Sequence, residues 1–291
     1  MAISDSSFPS WDTDAEVYDS TRLRDSILAK RATPRSARGL TTGWETLDEC
    51  FSLRKKQLTV VSGVPNHGKS EFMDALIVNS VRNHNWKWGI FSPENYPYDD
   101  HYEKIAEKFA EKPFRDIQPE VLEHIIETNR TNLFWTYPKT PTLGSISDLW
   151  HRLVENCGVD ALLLDPWNTL EHRRPREQSE TEYIGEALGG WIEFARLLDV
   201  HIFIVAHPTK IPINRDTNLP YLMNGYDISG SANWVNKPDN LIIVQRPDFN
   251  TCVTNVHIQK VRDQRHTGKK GTVAFEYDAN HGGIYFEKGG Y

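Results

Sequence analysis

The sequence predicts an α/β domain with a central, mostly parallel, twisted sheet, helices on its faces and antiparallel strands at its carboxyl-terminal end. From residue 39 to about residue 245, short apolar runs alternate with longer segments of helical periodicity, as in repeated strand-helix-strand units. Beyond that point the helical segments stop, and three strand-like runs separated by turn residues indicate antiparallel strands.

Each element is predicted from its own stretch of chain, because apolar runs indicate strands and apolar residues at helical spacing indicate helices. The predicted strands are QLTVVSG, WKWGIFSPE, NLFWTY, ALLLDP, HIFIVAHP, LIIVQR, NVHIQKVR, GTVAFEYD and GGIYFEK. The predicted helices are KSEFMDALIVNSVRNH, HYEKIAEKFAEK, SISDLWHRLVENCG and TEYIGEALGGWIEFARLLD. Before them we expect an arm over residues 1–38 with a helix in DAEVYDSTRLRDSILAKR, and the main domain then covers residues 39–291.

Composition limits the class of protein. A chain of 291 residues with 38% hydrophobic content can bury a globular core. It has neither the long apolar run of a membrane helix nor the basic and apolar start of a signal peptide, so we expect no membrane partner and a cytoplasmic location. The net charge of −7 argues against a positively charged surface that wraps duplex nucleic acid, but it is compatible with a narrow basic channel. The three cysteines match no metal-binding spacing, so we expect reduced thiols.

The stretch GVPNHGKS, residues 63–70, has the spacing of a phosphate-binding P-loop and stands between a predicted strand and a predicted helix. Its amide groups and the helix dipole would hold phosphates, Lys69 would reach the β- and γ-phosphates, and the Ser70 hydroxyl would bind Mg²⁺. The alternative is a chance Gly-Lys-Ser loop. The predicted nucleotide contacts are Gly63, Pro65, Asn66, His67, Gly68, Lys69, Ser70 and Glu71.

Three more polar residues follow predicted strands, at the end of a parallel sheet where ligands gather. Asp165 closes ALLLDP and is a candidate second acid at Mg²⁺, with a loop cap as the alternative. Glu94, in GIFSPEN, is a candidate base for the attacking water or an ordinary loop acid, and its strand is expected beside the P-loop strand. His207, in IFIVAHPTK, is either a contact of the γ-phosphate or a hydrogen-bonded loop residue.

Seven segments occur in the order found in ring-shaped replicative DNA helicases. They are GLTTGWETLDE, GVPNHGKSEF, SPEN, LLLDPWNTLEH, AHPTK, YDISGSANWVNKPDN and KVRDQRHTGKKGTV. The span from about Gly39 to about Lys288 therefore resembles the RecA-like motor domain of the DnaB family, most closely its Twinkle and phage helicase-primase branch. The resemblance implies ATP, or another NTP or dNTP, with Mg²⁺, at the boundaries of a hexameric ring that moves single-stranded DNA through its centre.

The resemblance also implies roles for single residues. It makes Glu94 the water-polarising base, Asp165 the second acid and His207 the sensor of the γ-phosphate. Lys260 and Arg262, in KVR, resemble a pair that reaches into the neighbouring subunit's site and stabilises charge on the transferring phosphoryl group. Strand alternation offers another interpretation of that pair, as basic side chains on a solvent-facing surface.

Nucleotide-base and DNA contacts follow by the same resemblance. Arg246 and Tyr277 match the arginine and the aromatic residue between which the family holds the base. DNA would meet two loops, one containing EHRRPREQSE and the other running through TKIPINRDTNLPYLMNGYDISGSAN. The candidate contacts in these loops are Arg173, Arg174, Lys210, Arg215, Gly230 and Ser231.

Other interpretations remain open at this point. A recombinase or clock-type RecA relative would hydrolyse ATP without unwinding DNA, although the KVR and AHPTK segments favour the helicase. A non-catalytic accessory module would have no use for Glu94 and Asp165, and neither a G-x-S-x-G elbow nor an H-E-x-x-H motif occurs. Residues 1–38 are fewer than the amino-terminal domains of DnaB relatives. We therefore expect a motor-only protein, a truncated chain or half of a two-protein system, with a primase, polymerase or loader as candidate partners, in the cytoplasm or the host compartment of a phage or organellar replication system.

Overall fold

The computed structural model describes residues 19–32, 39–209, 211 and 221–288. In this part of the chain the strands are β1 (Gln57–Ser62), β2 (Trp88–Phe91), β3 (Leu133–Trp135), β4 (Ala161–Leu164), β5 (His201–Val205), β6 (Asn240–Gln245), β7 (Val253–Val261), β8 (Gly271–Asp278) and β9 (Ile284–Glu287). The helices are α1 (Ser20–Ala32), α2 (Glu45–Cys50), α3 (Lys69–His84), α4 (Tyr98–Ala110), α5 (Pro119–Asn129), α6 (Leu143–Cys157), α7 (Glu180–Leu197) and the short α8 (Asn233–Asn236).

All of these strands form one sheet in the order β3-β2-β4-β5-β1-β6-β7-β8-β9. Strands from β3 to β6 in this order are parallel, and β7, β8 and β9 continue the sheet as antiparallel strands. Every residue of β1, β5 and β6 is buried, because helices cover both faces of the parallel part. The predicted fold class is therefore confirmed, including the change to antiparallel strands.

The position of β2 corrects one expectation. The sequence analysis expects the strand before Glu94 beside the P-loop strand β1, but β4 and β5 lie between them. All the parallel strands are apolar on both faces, so hydrophobic patterning predicts that they are buried without giving their order. Glu94 still lies at the same edge as the P-loop, because the carboxyl ends of parallel strands share one edge.

The helices agree with the prediction except for α5, which the sequence analysis does not predict. Its segment carries two recognisable helix signals, Pro119 at the first helical turn and apolar residues at helical spacing. Both α6 and α7 begin with a capping box, formed by Thr142 with Ser145 and by Ser179 with Glu182. Of the helix predicted in the arm, the part before residue 19 lies outside the described residues, and α1 covers the remainder.

The core consists of two apolar layers, one on each face of the sheet. Side chains such as Phe72 and Leu76 of α3 pack in the first layer together with Phe275 of β8. Trp150 of α6 and Trp191 of α7 pack in the second layer, with their ring centroids 5.1 Å apart. This packing holds the start of α3 against the carboxyl ends of the strands. None of the described helices combines the length and apolar character needed to cross a membrane.

Candidate nucleotide-binding and catalytic site

The predicted P-loop connects β1 to α3, so its strand-loop-helix setting is confirmed. The loop requires its glycines. A Cβ atom on Gly63 would lie 2.1 Å from the carbonyl oxygen of Val244, and Gly68 caps α3 with a left-handed φ of 88°. Pro65 and Asn66 are exposed at the tip of the loop, and Asn66 also has a positive φ of 65°. The main chain therefore forms a tight turn immediately before the amino terminus of a 16-residue helix, the arrangement that binds phosphate groups.

Lys69 is folded back over this loop. Its Nζ donates hydrogen bonds to the carbonyl oxygens of Gly63 at 2.9 Å and Val64 at 3.1 Å, and the residue is buried. Burial lowers the pKa of Lys69, and the nearby carboxylates of Asp165 and Glu94 oppose that shift. A buried ammonium group that faces the loop supplies the positive charge that a phosphate-binding site needs.

Ser70 and Asp165 form the candidate metal site. The Ser70 hydroxyl donates a hydrogen bond of 3.0 Å to Oδ2 of Asp165, whose side chain is buried at the end of β4. Burial raises the pKa of Asp165 to about 6, and the negative charges of Asp74 and Glu94 act in the same direction. A hydroxyl and a carboxylate are the hard oxygen ligands that suit Mg²⁺, and a cation would relieve this crowding of negative charge. Among the described residues no group of three His, Cys, Asp or Glu side chains could hold a metal by itself, which agrees with a site completed by phosphates.

Glu94 and His207 face each other across the same edge of the sheet. Oε1 of Glu94 lies 3.9 Å from Nε2 of His207, which follows β5. Burial lowers the pKa of His207, as does the charge of Lys69, while Glu94 opposes the shift. Nδ1 of His207 is buried and has no hydrogen-bond partner within the described ranges. The structure thus brings Glu94, Asp165 and His207 to the P-loop, and a neutral imidazole remains available for a polar ligand.

His67 and Glu71, two further P-loop residues, face groups of the same chain. Nδ1 of His67 accepts a 3.0 Å hydrogen bond from the main-chain N–H of Arg246, so this nitrogen carries no proton. Burial, with the charges of Lys69 and Arg246, lowers the pKa of His67 to about 4. Glu71 instead pairs with the buried Lys108, with 2.5 Å between Oε2 and Nζ. His67 therefore ties the P-loop to the end of β6, and Glu71 ties the start of α3 to α4.

The residues predicted to hold the base have different neighbours. The guanidinium carbon of Arg246 lies 5.3 Å from the ring centroid of Phe249, and one terminal nitrogen donates to the carbonyl oxygens of Phe249 and Thr251. The hydroxyl of Tyr277 donates to Glu71 at 3.3 Å. The aromatic ring next to Arg246 is therefore that of Phe249, which the sequence analysis does not select. The only signal for it is an aromatic residue three positions after Arg246 in the β6-β7 turn.

Lys260 and Arg262 lie at the opposite edge of the sheet from the P-loop. β7 is antiparallel to β6, so its last residues pair with Asn240 and Leu241 at the beginning of β6. Nζ of Lys260 donates to the carbonyl oxygens of Val235 and Asn236 at 2.7 and 2.8 Å. Burial and the charge of Arg262 lower the pKa of Lys260 to about 8. The pair cannot serve the P-loop of its own chain, because the parallel strands separate the two edges.

The two loops predicted to contact DNA meet at the beginning of α7. Gly230 has a φ of 92°, its carbonyl oxygen accepts a hydrogen bond from Thr181 of α7, and the hydroxyl of Ser231 accepts one from the main chain of Asn233. In the first loop, Arg173 lies 3.6 Å from Glu171, and Arg174 donates to the carbonyl oxygen of Gln178. Lys210 and Arg215 lie outside the described residues.

Comparison with known proteins agrees with this geometry. Over 260 residues the chain is 35% identical to the Twinkle homolog protein, chloroplastic/mitochondrial, of Arabidopsis thaliana. This chain is a Twinkle-like domain. The match covers 84% of the chain but only 36% of the relative, so the Twinkle-like domain corresponds to about a third of that protein. No protein-family model matches the chain.

Solved structures share the fold of the Twinkle-like domain. One of them, a separately solved ATPase domain, superposes with a TM-score of 0.73 at 16% identity, over 94% of this chain and 100% of that chain. A DnaB-like replicative helicase, studied with its interactions with primase, gives a TM-score of 0.68 at 17% identity, over 95% of this chain and 68% of that chain. The architecture is therefore that of a DnaB-type, RecA-like ATPase domain.

Proposed function

We propose that this domain is the motor of a ring-shaped DNA helicase. It hydrolyses ATP, or another NTP or dNTP, with Mg²⁺ and uses the energy to move along single-stranded DNA in the 5′ to 3′ direction and to unwind duplex. The observation that carries the proposal is the separation of two sets of groups. Lys69, Ser70, Glu94 and Asp165 converge at one edge of the sheet, whereas Lys260 and Arg262 lie at the other.

At the first edge, the proposed chemistry is phosphoryl transfer to water. Lys69 and the loop amides bind the phosphates, while Ser70 and Asp165 hold Mg²⁺, which supplies charge neutralisation of the phosphates. Glu94 orients the water and accepts its proton, and His207 contacts the γ-phosphate through its imidazole. Arg246 and an aromatic ring, either that of Tyr277 or that of Phe249, hold the base.

At the second edge, the proposed role of Lys260 and Arg262 requires another copy of the chain. A head-to-tail arrangement would bring this edge of one subunit to the P-loop edge of the next, and a closed ring of such contacts is a hexamer in our proposal. The two loops at the start of α7 would then line the channel, with Arg173, Arg174, Lys210, Arg215, Gly230 and Ser231 as candidate DNA contacts. A primase, polymerase or loader is a further candidate partner, and an organellar compartment is one proposed location.

The decisive experiment measures the ATPase rate with and without single-stranded DNA over a range of protein concentrations, with light scattering on the same samples. We expect turnover per chain to rise with assembly and again with DNA, since each site needs a neighbour. A monomer that hydrolyses ATP at full rate and ignores DNA would contradict the ring motor. Unwinding of a 5′-tailed fork, against a 3′-tailed control, distinguishes a helicase from a recombinase-like ATPase.

Glu94→Gln separates hydrolysis from simple nucleotide binding. The amide keeps the size of the side chain but cannot accept the proton of the water, so turnover should fall by about 100-fold or more. Binding of a fluorescent ATP analogue should be retained. Glu103→Gln, at an exposed position of α4, is the matched control and should keep full turnover. Unchanged turnover in Glu94→Gln would remove Glu94 from the mechanism and favour an accessory, binding-only module.

A further inference from the structure

Arg262 is held by groups of its own chain. Its main-chain N–H donates to the carbonyl oxygen of Asp239 at 2.8 Å, and one terminal nitrogen donates to the carbonyl oxygen of Lys237 at 2.6 Å. The other terminal nitrogen lies 3.3 Å from Oδ1 of Asp239. The side chain of Arg262 is 45% exposed, whereas that of Asp239 is 7% exposed. The guanidinium group is therefore anchored on one side and open to solvent on the other.

Asp239 is itself anchored to the strand that carries the P-loop. Its N–H donates to the carbonyl oxygen of Leu58 at 2.9 Å, and its Oδ2 accepts a hydrogen bond of 3.0 Å from the N–H of Leu58 in β1. The two carboxylate oxygens thus have separate partners, one on the backbone of β1 and one on Arg262. A buried carboxylate needs such partners to offset the loss of hydration, so its position is strongly constrained.

This arrangement leaves donors free for a second ligand. A guanidinium group has five N–H donors in a rigid plane, and the contacts with Asp239, Lys237 and Asn236 involve only its two terminal nitrogens. A planar group held along one side presents its remaining donors in a defined direction, which suits the oxygens of a phosphate. Preorganised donors of this kind stabilise developing charge because they need not rearrange during the reaction.

We propose that Asp239 is the positioning residue for Arg262. Asp239 holds the guanidinium in the orientation that meets the γ-phosphate oxygens of a nucleoside triphosphate bound to a second copy of the chain. The inference rests on the proposed function, in which Arg262 acts on the neighbouring site. Asp239 does not touch the phosphate itself, and it acts only through Arg262.

Asp239→Asn is the most direct test. Asparagine keeps an oxygen that can accept the hydrogen bond from Leu58, but it replaces the charged partner of Arg262 with an uncharged amide. We expect turnover in the assembled state to fall by about 10- to 100-fold, since small displacements of a catalytic group have effects of that size. Nucleotide affinity and the assembly mass should stay unchanged. Asp263→Asn is the matched control, because Asp263 follows Arg262 closely in sequence but pairs with Arg54 and His266.

Mixed assemblies then distinguish a role in the neighbour's site from a role in the chain's own site. Asp239→Asn chains, with an intact P-loop, are mixed with Lys69→Ala chains, which carry an intact Arg262 but cannot bind phosphate properly. If Asp239 acts across the boundary, Lys69→Ala chains supply a correctly held Arg262 to the Asp239→Asn sites, and activity returns. A mixture of Arg262→Ala with Lys69→Ala chains gives the reference for this recovery.

The outcomes separate the two proposals. Recovery in both mixtures supports the positioning role of Asp239. Recovery with Arg262→Ala but not with Asp239→Asn, or full turnover of Asp239→Asn alone, overturns it. Absence of recovery in both mixtures instead contradicts the action of Arg262 on a neighbour, and with it that part of the proposed function. If Asp239→Asn is unfolded in a thermal melt, the same mixtures are made with Asp239→Glu, which keeps the charge but displaces the carboxylate by one methylene group.

Discussion

The hydroxyl of Ser70 donates a 3.0 Å hydrogen bond to Oδ2 of Asp165, which lies 95 positions later in the chain. Ser70 belongs to the first turn of α3, which follows β1, and Asp165 follows β4. Because β5 lies between β1 and β4, the two side chains meet over the carboxyl end of an intervening strand. The contact therefore defines the point at which a Mg²⁺ ion would join the P-loop to the second acid.

Asp165→Asn should weaken the dependence of hydrolysis on Mg²⁺ at its source. The amide can still accept the hydrogen bond from Ser70, but it has lost the charge that would bind the ion. We expect turnover to fall by about 100-fold and the Mg²⁺ concentration at half-maximal rate to rise. The measurement is an ATPase titration with MgCl₂, with Asp148→Asn on the exposed face of α6 as the control. An unchanged Mg²⁺ titration would show that Asp165 is not a metal ligand.

Lys260 should make turnover depend on pH. Its pKa is lowered to about 8, so the side chain loses its positive charge as the pH rises through that value. If the charged amine acts on a neighbour's phosphates, turnover per assembled chain should fall above pH 8. Lys260→Arg keeps the charge over this range and should remove the fall, whereas Lys270→Arg, at an exposed position, should not. ATPase profiles from pH 6.5 to 9.5, with light scattering to verify assembly, test this; the same alkaline fall in Lys260→Arg would contradict it.

His201 should reduce stability in acid. It is fully buried in β5, where its ring stacks on Phe203 at 4.1 Å, and burial lowers its pKa from 6.5 to about 3. Between these values the unfolded chain binds a proton that the folded chain does not, so the free energy of unfolding falls as the pH decreases. The loss is about 1.4 kcal/mol per pH unit within that window.

Urea denaturation at several pH values measures this effect. His201→Gln should give a smaller decrease in the free energy of unfolding between pH 6.5 and pH 4 than the parent chain does. His124→Gln, which changes an exposed histidine of α5, should leave the slope as it is. Equal slopes for the parent and His201→Gln would assign the acid sensitivity to other groups.

Phe249 should contribute to nucleotide affinity together with Arg246. Its ring lies against the guanidinium of Arg246, so removing the ring takes away a contact that holds this arginine in place. We expect Arg246→Ala to weaken binding of a fluorescent ATP analogue by about tenfold and Phe249→Ala by about threefold. Tyr277→Phe keeps the ring and removes only the hydroxyl that contacts Glu71, so it should retain affinity. Normal affinity in Phe249→Ala would remove Phe249 from the base site and favour Tyr277.

The sequence by itself determined the elements that depend on local pattern. The helix predicted over KSEFMDALIVNSVRNH agrees with α3 from Lys69 to His84, and the strands before the P-loop and before Asp165 lie where the apolar runs predict them. These signals are local, because periodicity and glycine spacing act within a few residues. They also placed Glu94, Asp165 and His207 at strand ends, and the carboxyl ends of parallel strands necessarily lie at one edge of the sheet.

Only the tertiary structure decided how distant segments pair. It separated β2 from β1 by two strands, gave Arg246 the ring of Phe249 as its neighbour, and joined Arg262 to Asp239 and through it to β1. The apolar strands resemble one another on both faces, so their sequences do not encode their order. Partnerships such as that of Asp239 with Arg262 depend on sheet register and buried charge, which arise only when the whole sheet has formed.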